Sequence, residues 1–588
     1  MRHVLSTLSW LAFLATWHVN AAPSNPTVTL SAGARARSRT TFVGRFLPSF
    51  DQEVFLGIKY ADQPPRFTRS DLKTVYLSND SSAGPLPSPS ATVIYNATRY
   101  GYECPGYGSD TTKLLGKGLI QISEDCLNLN IIRPRREAGN KRLLPVMVWI
   151  FGGGWQQGAT ADPRYNMSYI IQQAAANNKP ILGVSINYRL AAFGFLDSKE
   201  VRASGGTNLG LLDQRVALRW IKKNIAAFGG DPNKVTIWGE SAGAYSVGAH
   251  LVANRGNHEG LFRAAILNSG NAVGPPWNGT DWHQPMYDRI VSKAGCANSL
   301  DTLQCLREVP FKSLYAVAYE GLEWFATVDG QFIAEEPQVS ITRGRIARVP
   351  ILLGTNTDEG TSFGVTGVDT DEECIEQLTA SKRWVLTREQ ATKLLTYYPN
   401  DPVIGCPYGW GNVTWPEKGL MYKRYSSMAG DLCMTAPRRL LAQAMAEANK
   451  AVYSYRWDVA ALNTSSTIGV QHFAEIPFVF ANPDQDFTPL GEDPARLQLA
   501  ALAARIWASF VADLDPNGHG APMIPKFDPA NNADGTPVTE IPKWPRYAST
   551  THQSNPANFV FRLPMGDSYV EKDDYRAEGI AYINSIQR

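Results

Sequence analysis

The run Gly239-Glu240-Ser241-Ala242-Gly243 is a Gly-x-Ser-x-Gly pattern, and its surroundings give it chemical meaning. An apolar, β-branched stretch from Val235 to Trp238 leads into it, and a small-residue helical pattern from Ala242 to His250 follows. Strand, sharp turn, helix is the context of a nucleophile elbow, which exposes a serine hydroxyl on a strained turn. A strained backbone of this kind costs about 1–3 kcal/mol, so the serine held there is expected to use its Oγ. Gly239 and Gly243 are expected where strand and helix come too close for side chains. The same pattern recurs at Gly360-Thr361-Ser362-Phe363-Gly364. That copy lies several residues past the nearest strand-like run and has no helical pattern behind it, so it reads as a loop.

An activated serine needs a base, an acid to orient the base, and donors for the oxyanion. Four histidines follow Ser241 at a distance: His283, His472, His519 and His552. His250 and His258 are too close along the elbow helix or its exit. His472 sits in a loop, Gly469 to Pro477, after a strand-like run, where a movable base belongs. His519 lies in the polar turn Asp515 to Gly520. Two acids, Asp358 and Glu359, follow the run Val349 to Leu353, and either could project from that strand's end. Serine, acid, histidine is the chain order of α/β-hydrolases.

These groups need a rigid scaffold, and the chain encodes one. Leu144 to Ile150 is an apolar run with few polar breaks, the mark of a buried parallel strand. Pro180–Leu190, Lys234–Trp238, Ala264–Leu267, Val349–Leu353 and Ala451–Tyr455 are five more expected strands. Between the second and third, Leu212, Val216, Trp220, Ile221, Ile225 and Phe228 recur at helical spacing, and Gly229-Gly230-Asp231 stops the helix. Strand, helix, strand in repetition predicts an α/β fold with a mostly parallel central sheet flanked by helices. Residues 271–330 and 360–450 are expected to be helical insertions roofing the site. One domain over 22–588 is expected, after a signal peptide at 1–21 with Arg2 and His3, an apolar stretch and small residues at Val19-Asn20-Ala21.

Composition narrows the chemistry. The 588 residues carry a net charge of +2, with no basic tract to suggest a nucleic-acid partner. No apolar run after the N-terminal one is long enough for an integral membrane anchor. The seven cysteines show no metal-ligand spacing, so no metal is expected. An odd number leaves at least one thiol unpaired within the chain. Asn79, Asn96, Asn166, Asn278, Asn412 and Asn463 stand in glycosylation sequons, which fits a secreted, extracellular protein.

The chain resembles the type-B carboxylesterase/lipase family of α/β-hydrolases, including its fungal secreted esterases and lipases. The motifs that carry the resemblance are Gly57-Ile58-Lys59-Tyr60-Ala61, Ser123-Glu124-Asp125-Cys126-Leu127-Asn128-Leu129-Asn130, Trp149-Ile150-Phe151-Gly152-Gly153-Gly154, Asn187-Tyr188-Arg189, the Ser241 run, Thr355-Asn356-Thr357-Asp358-Glu359-Gly360 and His472-Phe473-Ala474-Glu475-Ile476-Pro477-Phe478. The resemblance implies a triad of Ser241, Glu359 and His472, with Glu359 rather than Asp358 as the acid. It implies an oxyanion hole from the backbone N–H groups of Gly153, Gly154 and Ala242, and an electrostatic role for Glu240. It implies disulfides Cys104–Cys126 and Cys296–Cys305, and leaves Cys374, Cys406 and Cys433 without assigned partners. Leu322 and Trp324 fall where the family often places acyl-pocket residues. An ester, small or lipid, is then the expected substrate, and no cofactor is required.

Three alternatives differ in what the loops must do. Phe151 stands where many relatives have His or Tyr, so a more apolar pocket wall is expected there. The loop Pro105 to Asp125 has no tryptophan to stack on a choline cation, which argues against a cholinesterase. It is also short for a lipase lid, with one modest apolar patch at Leu114-Leu115 and Leu119-Ile120. A carboxylesterase is therefore preferred over a triacylglycerol lipase. A non-catalytic adhesion or binding relative would lack the nucleophile, which this chain keeps.

Overall fold

The structure is a computed structural model that describes residues 25–31, 39–76, 92–137, 139–319, 323–381, 383–448, 450–483, 486–520, 541–548 and 556–587. The expected signal peptide, Asn79, Leu322 and His552 lie outside the described residues. Eleven strands form one sheet. Across it they run in the order Tyr569–Lys572, Ala557–Phe561, Val452–Trp457, Ile351–Asn356, Ala264–Asn268, Gly230–Glu240, Leu144–Ile150, Leu182–Ile186, Asn128–Pro134, Gln52–Lys59 and Arg45–Leu47. The strands from Ala557–Phe561 to Leu182–Ile186 are parallel to their neighbours. The strands at both edges pair antiparallel. A separate three-stranded sheet joins Thr27–Ser31, Arg39–Val43 and Thr92–Asn96.

All six expected strands are present, with shifted ends. Leu144–Ile150 is fully apolar except for Pro145, and its residues from Val146 on are sealed between helix layers on both faces. The strand expected over Pro180–Leu190 spans only Leu182–Ile186, because the three residues after it leave the sheet to make polar anchors. Tyr188 Oη donates to Phe151 O at 2.7 Å, and the Arg189 guanidinium grips Asp213 at 2.6 and 2.8 Å. Both Arg189 and Asp213 are buried, so removing either partner would strand a charge in the interior.

The expected amphipathic helix spans Leu209–Asn224 and tightens into a 3-10 turn over Ile225–Phe228. Gly229 closes it at φ 90°, a left-handed conformation that glycine adopts without Cβ strain. Leu212, expected in its core stripe, is only half-buried, whereas Leu211 is sealed. The insertions are helical as expected: Thr280–Lys293, Thr302–Glu308 and Phe311–Val317 in one, Asp371–Ala380, Arg388–Tyr397, Tyr422–Gly430 and Ala436–Glu447 in the other. Among the described residues no helix is long and apolar enough to cross a membrane.

Candidate active site

Ser241 stands between the strand Gly230–Glu240 and the helix Ala242–Gly256, at φ 54° and ψ −125°. A non-glycine residue at positive φ is strained, and tight packing around the turn holds it there. A Cβ on Gly239 would lie 2.3 Å from Gly243 C, and one on Gly243 would lie 2.0 Å from Ile150 O. Only glycine permits that crossing of strand and helix. Ser241 N–H donates to Asn268 O at 3.0 Å, tying the turn to the adjacent strand. The helix that follows points its positive N-terminal end, with unpaired N–H groups, at this corner.

The glycine run leaves the strand Leu144–Ile150 beside the elbow. A Cβ on Gly152 would meet Glu240 O at 2.5 Å and Ser241 Cβ at 3.0 Å, so the two segments touch. Gly153 and Gly154 follow at φ 88° and 67°. The Tyr188 hydroxyl and its ring, stacked 4.7 Å from that of Phe151, fix the base of this loop. That corrects the expectation for Phe151. Its side chain is fully buried against Tyr188 and does not line the cavity beside Ser241.

The candidate acid and base follow two neighbouring strands, Ile351–Asn356 and Val452–Trp457. His472 Nδ1 lies 2.7 Å from Glu359 Oε2, and Glu359 Oε1 accepts the Asn356 N–H at 2.8 Å. Asp358, the other acid legible in the sequence, does something different. Its carboxylate accepts the N–H groups of Val470 at 2.7 Å and Tyr408 at 2.8 Å, clamping the loop that carries His472. His472 Nε2 faces Glu240 Oε1 at 3.1 Å. Ser362 lies exposed in the turn Glu359–Ser362, with no helix behind it.

Three buried carboxylates, Glu240, Glu359 and Glu475, crowd around this one imidazole. Glu475 accepts from Asn356 Nδ2 at 2.8 Å and Asn268 Nδ2 at 3.2 Å. Burial pushes the Glu240 and Glu475 carboxyls up from their ordinary range; Glu475 and Glu359 add to it at Glu240, and Glu359 adds to it at Glu475. Burial alone would lower the His472 pKa, but Glu240 and then Glu359 outweigh it and raise it to about 9. Protons in such a set belong to the cluster rather than to one residue. Glu475 was quoted in a sequence motif without a role. Its signal was its spacing of three from His472 on a short loop.

Ser241 opens on a cavity of about 290 Å³ that also touches Gly153, Gly154, Tyr245, Phe325, Phe363 and Arg383. A larger, more open hollow of about 740 Å³, bounded by Lys59, Arg99, Tyr100 and Asp125, shares none of these residues. Trp324 is a correction. It is fully buried, donates its indole N–H to Ala318 O at 3.1 Å, and is absent from the cavity wall. Its neighbour Phe325 takes the wall position instead. The candidate base His283 is buried elsewhere, beside Asp197, and His250, already too close along the elbow helix, is buried beside Gln214.

Cys104 is bonded to Cys126, and Cys296 to Cys305. Cys374, Cys406 and Cys433 are buried free thiols. Among the sequon asparagines, Asn96, Asn412 and Asn463 are exposed and Asn166 is half-buried. Asn278 is only 7% exposed and its amide nitrogen is enclosed, so a glycan has no room there.

The carboxylesterase family profile matches residues 41–560 of this chain. The chain belongs to the carboxylesterase family. Lipase 4 of Diutina rugosa is 32% identical over 94% of this chain and 95% of its own. The secreted triacylglycerol lipase LIP1 of Gibberella zeae is 36% identical over 79% of this chain and 75% of its own. The crystal structure of Aspergillus niger EstA superposes with a TM-score of 0.75 at 27% identity, covering 96% of this chain and 98% of that one. The fold is thus that of the α/β-hydrolases, and the enzyme is a serine hydrolase of carboxylic esters.

Proposed function

We propose that this enzyme is a secreted carboxylesterase working through an acyl-enzyme on Ser241. Ser241 Oγ attacks the ester carbonyl while His472 Nε2 takes its proton. Glu359 holds Nδ1–H and stabilises the imidazolium that results. The N–H groups of Gly153, Gly154 and Ala242 receive the oxyanion. As the tetrahedral adduct collapses, the ester C–O bond breaks and His472 returns the proton to the leaving alcohol. Water, deprotonated in turn by His472, attacks the acyl-serine; the acid leaves and Ser241 regains its proton. The observation that carries this reading is the 2.7 Å His472–Glu359 contact, with His472 Nε2 meeting the residue next to a strained Ser241.

Glu240 sets the pH at which that base is free. Its carboxylate 3.1 Å from Nε2 favours the imidazolium, which cannot accept the serine proton. Glu240→Gln removes the negative neighbour, lowers the His472 pKa, and moves the acid limb of kcat/KM to lower pH by about one to three units. A kcat/KM profile on a neutral ester checks this, and a limb that stays put or moves up contradicts it.

The preference for a carboxylesterase over a lipase rests on the loop 105–125. Its helix, Ser109–Gly116, turns Leu114 inward, where Leu114 packs with Ile120 and Ala159. Lys117 pairs with Asp486 at 2.9 Å, and Lys113 sits 3.8 Å over the Phe487 ring. Only Leu115 and Leu119, 37% and 43% exposed, are left of the patch for an interface. The lipase names of two relatives favour the second reading. Rates on an ester series from acetyl to long acyl, followed through each solubility limit, separate the two. Saturation below the limit with no jump above it is expected; a jump at the interface assigns a lipase instead.

The secreted reading is supported by the expected signal segment at 1–21, two disulfides, exposed sequons and a relative named as secreted. Residues 22–588 are read as one domain, since the motifs of a single site run from Gly57 to His472.

A further inference from the structure

We propose that Arg383 makes the acyl side of this site an acceptor for esters whose acyl chain ends in a carboxylate, that is, half-esters of dicarboxylic acids. The inference rests on Ser241 being the nucleophile. Arg383 lines the same cavity as Ser241, Gly153 and Gly154, among walls that are otherwise largely apolar, such as Phe325 and Phe363. Its guanidinium carbon lies 5.0 Å from the centre of the Phe363 ring. That ring in turn stands 4.8 Å from the imidazole of His472. The cation is therefore one aromatic ring removed from the reacting centre.

The surroundings of Arg383 hold it in place without neutralising it. Its Nη1 approaches Cys433 Sγ at 3.8 Å, and burial pushes that thiol up, so it stays uncharged. No described carboxylate contacts the guanidinium. Glu323, itself exposed, acts on it only through space. A cation–π contact offsets part of the cost of a cation in an apolar wall, and a weak sulfur acceptor uses one of five N–H donors. The remaining donors form a planar fork suited to a carboxylate. With the ester carbonyl fixed at Ser241, the anion that can reach this fork is the far end of the acyl chain, across a short apolar spacer. A neutral chain would press its methyl end on the guanidinium and strip its water without replacing it.

The test compares kcat/KM by pH-stat titration for monoethyl adipate, its neutral primary amide, and ethyl hexanoate. Wild type is expected to favour the acid over the amide by at least tenfold, the scale of a charge-assisted pair. Arg383→Met is expected to lower the ratio of acid to ethyl hexanoate at least tenfold, and Arg383→Lys to restore part of it. A wild-type enzyme that treats acid and amide alike overturns the proposal, without needing any variant. So does an acid-to-hexanoate ratio that Arg383→Met leaves unchanged. Failure of the wild type on all three esters would instead remove the underlying reading of Ser241.

Discussion

Ser241→Ala is expected to lower kcat on a short-chain ester by about 10⁶-fold, the scale seen when the nucleophile of a serine triad is removed. The size follows from the chemistry, since without Oγ there is no acyl-enzyme and only the oxyanion donors and binding remain. The fold should not notice the change. The Ser241 side chain makes no capping hydrogen bond to its helix, and the strain of the turn lies in the backbone, which alanine inherits. Thermal unfolding of the variant is therefore expected to match wild type. A folded Ser241→Ala protein with more than a trace of activity contradicts the mechanism.

Glu359→Gln is the second large effect, a fall in kcat of about 10⁴-fold. Glutamine keeps the shape and can still accept the Asn356 N–H that Glu359 Oε1 now takes at 2.8 Å. It loses the negative charge facing Nδ1, and its amide can turn a donor toward His472, favouring the tautomer with the proton on Nε2. That tautomer cannot take the serine proton. Because Glu359 is buried, no water takes over its role. Single-turnover kinetics should place the loss in acylation, with substrate affinity little changed. A variant that acylates at the wild-type rate would assign the orienting role to another group, and Glu475, a further buried carboxylate of the same cluster, is the one to test.

What could be read from the chain alone divides along physical lines. The parallel core was legible because strands buried on both faces are near-continuous apolar runs, as in Leu144–Ile150. The elbow was legible because only glycine tolerates the contacts at Gly239 and Gly243. The antiparallel strands Asn128–Pro134, inside the sheet, and Tyr569–Lys572, at its edge, were not, since their patterns mix polar and apolar residues without a clean period. Choosing between Asp358 and Glu359 needed family resemblance. Two adjacent carboxylates look alike in sequence, and only the fold shows one bound to Val470 N–H and the other to His472. The pocket wall was the least legible part. Trp324 and Phe325 are neighbours in a stretch with no regular period, so which one faces the cavity depends on the path of an irregular segment. Arg383 gave no signal, because an arginine in a short link between two helices, here Asp371–Ala380 and Arg388–Tyr397, is ordinarily a solvated one.

The most direct measurement of the central claim is labelling with a fluorophosphonate, followed by intact mass and peptide mapping. One adduct per chain, located on Ser241 and rising in step with the loss of esterase activity, is the result expected. An active preparation that takes up no label, or that is inactivated by an adduct at Ser362 or any other residue while Ser241 stays free, would contradict it.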